Sequence, residues 1–227
     1  MLLGLVVYVF LGWIVLVRYL DFRKSGYSQD SDQSFIQTFM SVGLRGEYHI
    51  YRALEKLPIQ KRLFTNMYLP KEDGTYTEID LVMLTAKGIF VIESKNYSGW
   101  IFGNENQKFW MQTLPAKKIH KHKFLNPIWQ NQGHVKAMIS SENLDPASVY
   151  SLILFSNRCT LKKLDVKKFK GWVIQLNQLQ KVMEESNQFP DVFGKKDMIE
   201  LAVRLRSYCR RSDDFKRKHI ESIKKII

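Results

Sequence analysis

Three ionisable side chains lie at the ends of two short apolar runs that a turn separates. Asp80 is near the start of the first run, and Glu93 and Lys95 close the second. If the runs are antiparallel strands in which Leu84 pairs with Ile89, Asp80 lies directly opposite Glu93. Because side chains alternate between the faces of a strand, Asp80, Glu93 and Lys95 would then share one face.

Directly opposed carboxylates on neighbouring strands have Cβ atoms about 4.5–5.5 Å apart, and their like charges repel. Apolar surroundings also disfavour the ionised form of each acid. A divalent cation would resolve the conflict, and hard oxygen ligands at this spacing suit Mg²⁺ or Mn²⁺. Lys95 would then orient or help deprotonate a water, or neutralise charge on a phosphate. The alternative is an exposed ladder of ion pairs on a sheet edge, formed by Glu78, Asp80, Glu93 and Lys95.

Two further polar residues favour the metal-site interpretation. Glu47 follows Gly43 and Gly46 in a helical stretch, where glycines permit close approach of another backbone. Gln130 lies at the polar start of a second helix, which could meet a phosphate. His134, one turn later, could be catalytic, but a hydrogen-bonded structural histidine is the favoured interpretation.

A basic segment precedes the second helix and also contains His120 and His122. Its lysines would repel a metal ion, so we interpret it as a loop that contacts phosphate groups of nucleic acid, with a merely solvated loop as the alternative. The candidate nucleic-acid-binding residues are Lys117, Lys118, Lys121 and Lys123.

The pattern of apolar residues predicts the elements that position these side chains. Helical spacing is found over 35–57, 127–140, 195–209 and 213–226, and strand patterns over 62–69, 77–84, 89–95, 149–155 and 172–176. A small hairpin is expected from 100–102 and 109–112, and a basic loop over 115–125. The order helix, three strands, helix, strand predicts an α/β fold with a mixed sheet flanked by helices.

The charge balance of the 227-residue chain indicates a polyanionic partner. Lys and Arg number 35 against 22 Asp and Glu, a net charge of +13. Residues 1–107 contain 11 of each sign, so the whole excess lies in 108–227 and favours nucleic acid or anionic lipid. With 45% hydrophobic residues the chain is not a disordered basic protein. Its two cysteines, Cys159 and Cys209, exclude a disulfide scaffold or a zinc site of the usual spacing, and we expect free thiols.

The N-terminal segment is apolar on every face, with no charge from Leu2 to Val17 and a span of about nineteen residues up to Leu20. A buried core helix and a cleaved signal peptide are the alternatives to a signal anchor, which we favour. Arg18, Arg23 and Lys24 follow the run, so the positive-inside rule places the remainder in the cytoplasm. We expect a single-pass protein of a bacterial cell membrane, with residues 1–20 as the anchor and 21–34 as a linker.

Several motifs in fixed order resemble the NERD (nuclease-related) domain over about residues 38–156. They are Gly-x-x-Gly-Glu at the first helix, Glu-Ile-Asp, Val-Ile-Glu-Ser-Lys-Asn, Tyr-Ser-Gly-Trp-Ile-Phe-Gly and Asn-Pro-x-x-Gln-Asn-x-x-His. That family is similar in turn to the restriction-endonuclease-like superfamily with the PD-(D/E)xK motif. Here Glu-Ile-Asp replaces Pro-Asp but keeps the carboxylate.

The resemblance implies a restriction-endonuclease-like fold for residues 35–156, followed by a basic helical extension over 157–227. It implies that Asp80 and Glu93 ligate Mg²⁺ (or Mn²⁺), that Glu47 supports the metal, and that Lys95 acts at the attacking water. Gln130 matches the family's glutamine on the second helix. We therefore expect a membrane-anchored nuclease that hydrolyses phosphodiester bonds in DNA. The alternatives are a catalytically silent nucleic-acid-binding or interaction module at the membrane, and a lipid-surface protein whose C-terminal helices bind anionic headgroups.

Overall fold

A computed structural model describes residues 2–115, 120–209 and 215. Seven α-helices and nine β-strands are found in these ranges. The helices are α1 (Leu2–Lys24), α2 (Tyr27–Asp30), α3 (Phe35–Met40), α4 (Val42–Glu55), α5 (Pro127–Glu142), α6 (Leu179–Ser186) and α7 (Lys195–Arg206). The strands are β1 (Lys61–Pro70), β2 (Tyr76–Thr85), β3 (Gly88–Lys95), β4 (Gly99–Asn104), β5 (Phe109–Leu114), β6 (His120–Leu125), β7 (Val149–Phe155), β8 (Cys159–Asp165) and β9 (Trp172–Gln175).

The larger sheet has five strands in the order β1-β2-β3-β7-β9. The first three are antiparallel neighbours, whereas β7 runs parallel to both β3 and β9. Pairs from Thr85↔Gly88 to Leu81↔Ile92 join β2 to β3, which is the register that the turn between them predicts. The smaller sheet, β6-β5-β4-β8, is also mixed. The predicted α/β class is thus confirmed as two mixed sheets flanked by helices.

Helices cover both faces of the larger sheet, because successive strand residues face opposite sides. Leu81, Met83 and Ile92 pack in one core cluster with residues of α4, α6 and Tyr27. Val82 and Val91 pack in a second cluster with α5 and α7. Strands buried on both faces read as continuous apolar runs, which explains the unbroken apolar stretches 89–92 in β3 and 152–155 in β7.

The first predicted helix is two helices, because Ser41 is extended between α3 and α4 (ψ 129°). Its hydroxyl accepts a hydrogen bond from the backbone N–H of Leu44 and so caps α4. The glycine at position 46 then allows α4 to lie against the end of β3, since a Cβ there would be only 2.4 Å from Cβ of Asn96.

Three further segments differ from the sequence-based predictions. The extension over 157–227, expected to be helical, contains strand β8, which pairs in parallel with β4. Residues 120–125 are strand β6, not the end of a loop, because their backbone pairs with β5 although five of the six side chains are exposed. The predicted linker contains α2, in which Tyr27 is fully buried between aromatic rings of α1 and α4. The predicted helix over 213–226 falls almost wholly outside the described residues. Both cysteines are free, as expected.

Helix α1 joins the folded domain at its C-terminal end only. Phe22 is buried there, and the hydroxyl of Tyr48 donates to Asp21 at 2.6 Å. Farther toward the N-terminus, Val6, Phe10 and Trp13 are largely exposed. In the part of the chain that the structure describes, no helix combines the length and the apolar character needed to span a bilayer.

Candidate functional site

Asp80 lies beside Glu93 at the end of the β2–β3 ladder. It is one position beyond the last pair, Leu81↔Ile92, and its Oδ2 accepts a hydrogen bond from the backbone N–H of Ser94 at 3.0 Å. This contact holds the Asp80 carboxylate against the end of β3. The predicted register therefore brings together the two strand ends that carry the candidate site.

Glu93 is the most enclosed acid of the site, with 2% of its side chain exposed. Its Oε1 accepts a hydrogen bond from Nζ of Lys95. Its Oε2 is 3.2 Å from Nε2 of His134, within ion-pair range, but accepts no hydrogen bond. Burial alone would raise the Glu93 pKa, yet the charge of Lys95 and the contact with His134 outweigh it and hold the pKa below its ordinary value. Glu93 is thus a buried carboxylate that stays charged.

Lys95 connects the strand to helix α5. Its ammonium also donates to Oε1 of Gln130 at 3.1 Å. Burial disfavours the charged ammonium, but Glu93 and Asp80 favour it more strongly and raise the Lys95 pKa. The side chain therefore remains a cation that two acceptors hold in place.

Asp80 and Glu47 lie in a field of negative charge. Burial, followed by the charges of Glu93 and Glu47, raises the Asp80 pKa well above its ordinary value. Burial, followed by Glu78 and Glu93, raises the pKa of Glu47 from 4.5 to about 7. The acids thus oppose one another's ionisation, which a bound cation would reverse. Within the described ranges, no group of three or more His, Cys, Asp or Glu side chains is already arranged to hold a metal ion.

Helix α5 positions the remaining candidate residues. Asn126 caps the helix by accepting from the N–H of Ile128, with Pro127 in the first turn. Nδ2 of Asn131 donates to the carbonyl of Val91 and to Ser151, which fixes the helix against β3 and β7. These bonds place the inner face of α5 over the carboxylates.

His134 is the site residue for which the sequence favours a structural role. It is buried, with Nδ1 2.8 Å from the hydroxyl of Thr77 and Nε2 facing Glu93. Gln130 and His134 are four residues apart, so they occupy the same face of α5. That spacing was the available signal, but the pattern alone did not show that this face covers Glu93.

The predicted nucleic-acid-binding lysines are distant in sequence from Glu47, Asp80 and Glu93, which we call the acidic cluster. Lys121 and Lys123 are on β6, opposite Thr113 and Met111 of β5, and their side chains are exposed. Lys117 and Lys118 lie outside the described residues. The two described lysines thus occupy the edge strand of the smaller sheet.

Comparison with known proteins agrees with the motif-based resemblance. Residues 42–156 match the family model of the nuclease-related domain. The chain is also 35% identical over 145 residues to a protein of Bacillus anthracis, pXO1-01, which is described as uncharacterized. That match covers 63% of this chain and 66% of the relative. No solved structure matches.

Proposed function

Since the chain belongs to the nuclease-related domain (NERD) family, we propose that it is a metal-dependent nuclease that hydrolyses phosphodiester bonds in DNA. The observation that carries the proposal is the contact of Lys95 with both Glu93 and Gln130, next to Asp80. A lysine and a buried carboxylate from one motif thus meet a helix amide from another motif at one end of the sheet. This constellation suits the stabilisation of charge on a phosphate.

Asp80, Glu93 and Glu47 would hold the metal ion, Mg²⁺ or Mn²⁺. Their chemistry fits it, because hard carboxylate oxygens are the ligands these ions prefer. Oε2 of Glu93 is buried and accepts no hydrogen bond in the described structure, although Nε2 of His134 lies 3.2 Å away. The raised pKa values of Asp80 and Glu47 reflect burial first and then the negative charge of the neighbouring acids. When bound, the ion supplies Lewis-acid polarisation of a phosphate oxygen and a water.

The protein's own groups orient and stabilise the reacting atoms. Lys95, kept charged by its neighbours, would face the phosphate and stabilise the negative charge that develops on it. Gln130 holds the Lys95 ammonium in place. His134 would fix the orientation of the Glu93 carboxylate from the other side. The ion-pair ladder proposed as the alternative accounts for the Lys95–Glu93 contact but not for a carboxylate buried beneath α5.

The basic half of the chain would hold the DNA. Lys121 and Lys123 are exposed and can contact the phosphate backbone, as could Lys117 and Lys118. The same positive charge could let the C-terminal segment contact anionic lipid.

We further propose that residues 2–20 attach the domain to the bacterial cell membrane, with the domain in the cytoplasm. Support comes from the exposed apolar side chains of α1 and from the basic residues Arg18, Arg23 and Lys24 at its domain end. Fusion of a reporter to the C-terminus tests the orientation, and an extracellular reporter would contradict it.

The activity is tested with the full-length protein, solubilised in mild detergent, on plasmid and on linear DNA. Cleavage is expected with Mg²⁺ or Mn²⁺ and not with EDTA. Binding of DNA without cleavage in either metal would reject the nuclease and favour a binding module.

A further inference from the structure

A cleft of about 500 Å³ adjoins the candidate site on the side away from α5. It lies between α4 and the ends of β3 and β7, and we name it the arginine cleft after its basic lining residues, Arg45, His49, Lys95 and Arg158. Among the described residues, no acidic side chain lines it. Its volume falls in the range of pockets that bind small ligands, so a group the size of a nucleotide can enter.

The two arginines are available to a ligand. None of the ion pairs among the described residues involves Arg45 or Arg158. Nη2 of Arg158 donates to the carbonyl and to Oδ1 of Asn96, both at 2.8 Å, which anchors one edge of the guanidinium group. Among the described residues, no hydrogen bond or ion pair occupies the other guanidinium nitrogens of Arg158, and the planar fork of an arginine suits a phosphate oxygen.

The electrostatics agree with an anionic ligand. The pKa of His49 lies below its ordinary value because burial and then the charges of Arg45, Arg18 and Arg158 disfavour its protonation. The same positive field that opposes a proton on His49 would attract a phosphate.

The walls of the cleft are fixed by local contacts and do not depend on a ligand. Gly46 lets α4 approach Asn96 closely, and the side-chain amide of Asn96 donates to the carbonyl of Val42. On the opposite wall, the N–H of Ser156 donates to the carbonyl of Lys95 at 3.0 Å, and its hydroxyl to the carbonyl of Tyr97. Little ordering of the protein would therefore be needed when a ligand binds.

We propose that the arginine cleft binds a phosphate group of the substrate strand next to the bond that is cleaved. The inference rests on the proposed nuclease function through Lys95, which belongs both to the acidic cluster and to the lining of the cleft. A strand with one phosphate at Lys95 would present a neighbouring phosphate to Arg45 and Arg158, because all three side chains line the same cleft. The cleft would thereby determine on which side of the cleaved bond the enzyme binds the neighbouring phosphate.

The test is fluorescence anisotropy with a short labelled DNA duplex, in EDTA so that binding is measured without turnover. The variants are Arg45→Gln, Arg158→Gln and the double variant, with Arg62→Gln as the matched control. Arg62 is exposed and pairs with Leu84 at the far end of the sheet. Each cleft variant should weaken binding about tenfold, since hydrogen bonds to charged groups are lost. In the double variant, the plot of log affinity against log salt should also become less steep, by about the amount expected for the loss of one phosphate contact.

A double variant that binds DNA as tightly as the Arg62 control would overturn the proposal. Arg45 makes no hydrogen bond to another side chain in the described structure, so Arg45→Gln tests the cleft even if Arg158→Gln fails to fold. If DNA binding depends on the arginines but wild type does not cleave DNA, the proposed nuclease activity is rejected and the cleft remains a phosphate-binding site. If wild type cleaves DNA but binding does not depend on the arginines, the nuclease activity is supported and the phosphate-binding role of the cleft is rejected. Vesicles containing phosphatidylglycerol form a second arm: loss of vesicle binding with unchanged DNA affinity would assign the cleft to a lipid headgroup and overturn the proposal.

Discussion

Replacing Glu47 by Gln should stabilise the metal-free protein at alkaline pH. The carboxyl has an ordinary pKa of 4.5 and a folded-state pKa of about 7, because burial and the charges of Glu78 and Glu93 disfavour its ionisation. An acid whose folded-state pKa is raised in this way does not lower the free energy of unfolding at a pH below its unfolded-state pKa. Above its folded-state pKa, it lowers that free energy by the full amount. At about 1.4 kcal/mol per pKa unit, the penalty above pH 8 is on the order of 3 kcal/mol.

The assay is urea unfolding of the full-length protein in detergent and EDTA, from about pH 4.5 to pH 8.5. Glutamine mimics the protonated acid, so the free energy of unfolding of Glu47→Gln should exceed that of wild type by on the order of 3 kcal/mol at pH 8.5. Near pH 5 the difference should be less than about 1 kcal/mol. Glu185→Gln, an exposed glutamate of α6, is the matched control and should change little. A Glu47→Gln gain that does not vary with pH would refute the reasoning, because ionisation of Glu47 would then carry no penalty in the folded protein.

Three other substitutions test separate parts of the site. Lys95→Met should lower the free energy of unfolding in urea by about 3–5 kcal/mol, since it leaves a buried carboxylate unpaired. It should also reduce cleavage, while Mg²⁺ should still raise the melting temperature. Loss of this metal-induced rise would contradict the role proposed for Lys95. Gly46→Ala should cost about 1–3 kcal/mol in the same assay, because the new Cβ would overlap Asn96, and an unchanged midpoint would contradict the close approach of α4. Changing Lys121 and Lys123 to Gln together should make DNA affinity less dependent on salt between about 50 and 200 mM, by about the amount expected for two lost phosphate contacts. An unchanged slope of log affinity against log salt would show that β6 does not contact the DNA.

The parts of the fold that the sequence predicts well are those with strong local patterns. Strand β7 has the predicted bounds, 149–155, because a strand buried on both faces reads as a nearly continuous apolar run. The register of β2 and β3 follows from a four-residue turn and from alternation alone. Their register is what brings the Asp80 and Glu93 positions together, so this half of the candidate site is predictable from the amino-acid sequence.

Elements stabilised by distant partners could not be found in this way. Strand β8 pairs in parallel with β4, far away in the chain, and most of its side chains are polar and exposed. Strand β6 carries a basic sequence with a single buried residue, Phe124, so it lacks the alternation of a half-buried strand. The contacts of Lys95 with Gln130 and of Glu93 with His134 depend on how α5 lies on the sheet. The arginine cleft depends on the packing of α4 beside the loop after β7.

Metal-dependent cleavage of DNA at the Asp80–Glu93 end of the sheet is tested most directly by one comparison. Wild type, Asp80→Asn and Asp191→Asn are assayed for plasmid cleavage with Mg²⁺, after each variant is shown to melt cooperatively. Asp191 is an exposed acid paired with Lys87 and serves as the matched control. We expect cleavage by wild type and Asp191→Asn, abolition of cleavage in Asp80→Asn, and no cleavage by any of them in EDTA. A folded Asp80→Asn variant that cleaves at the wild-type rate, or cleavage that persists in EDTA, would contradict a metal site at Asp80.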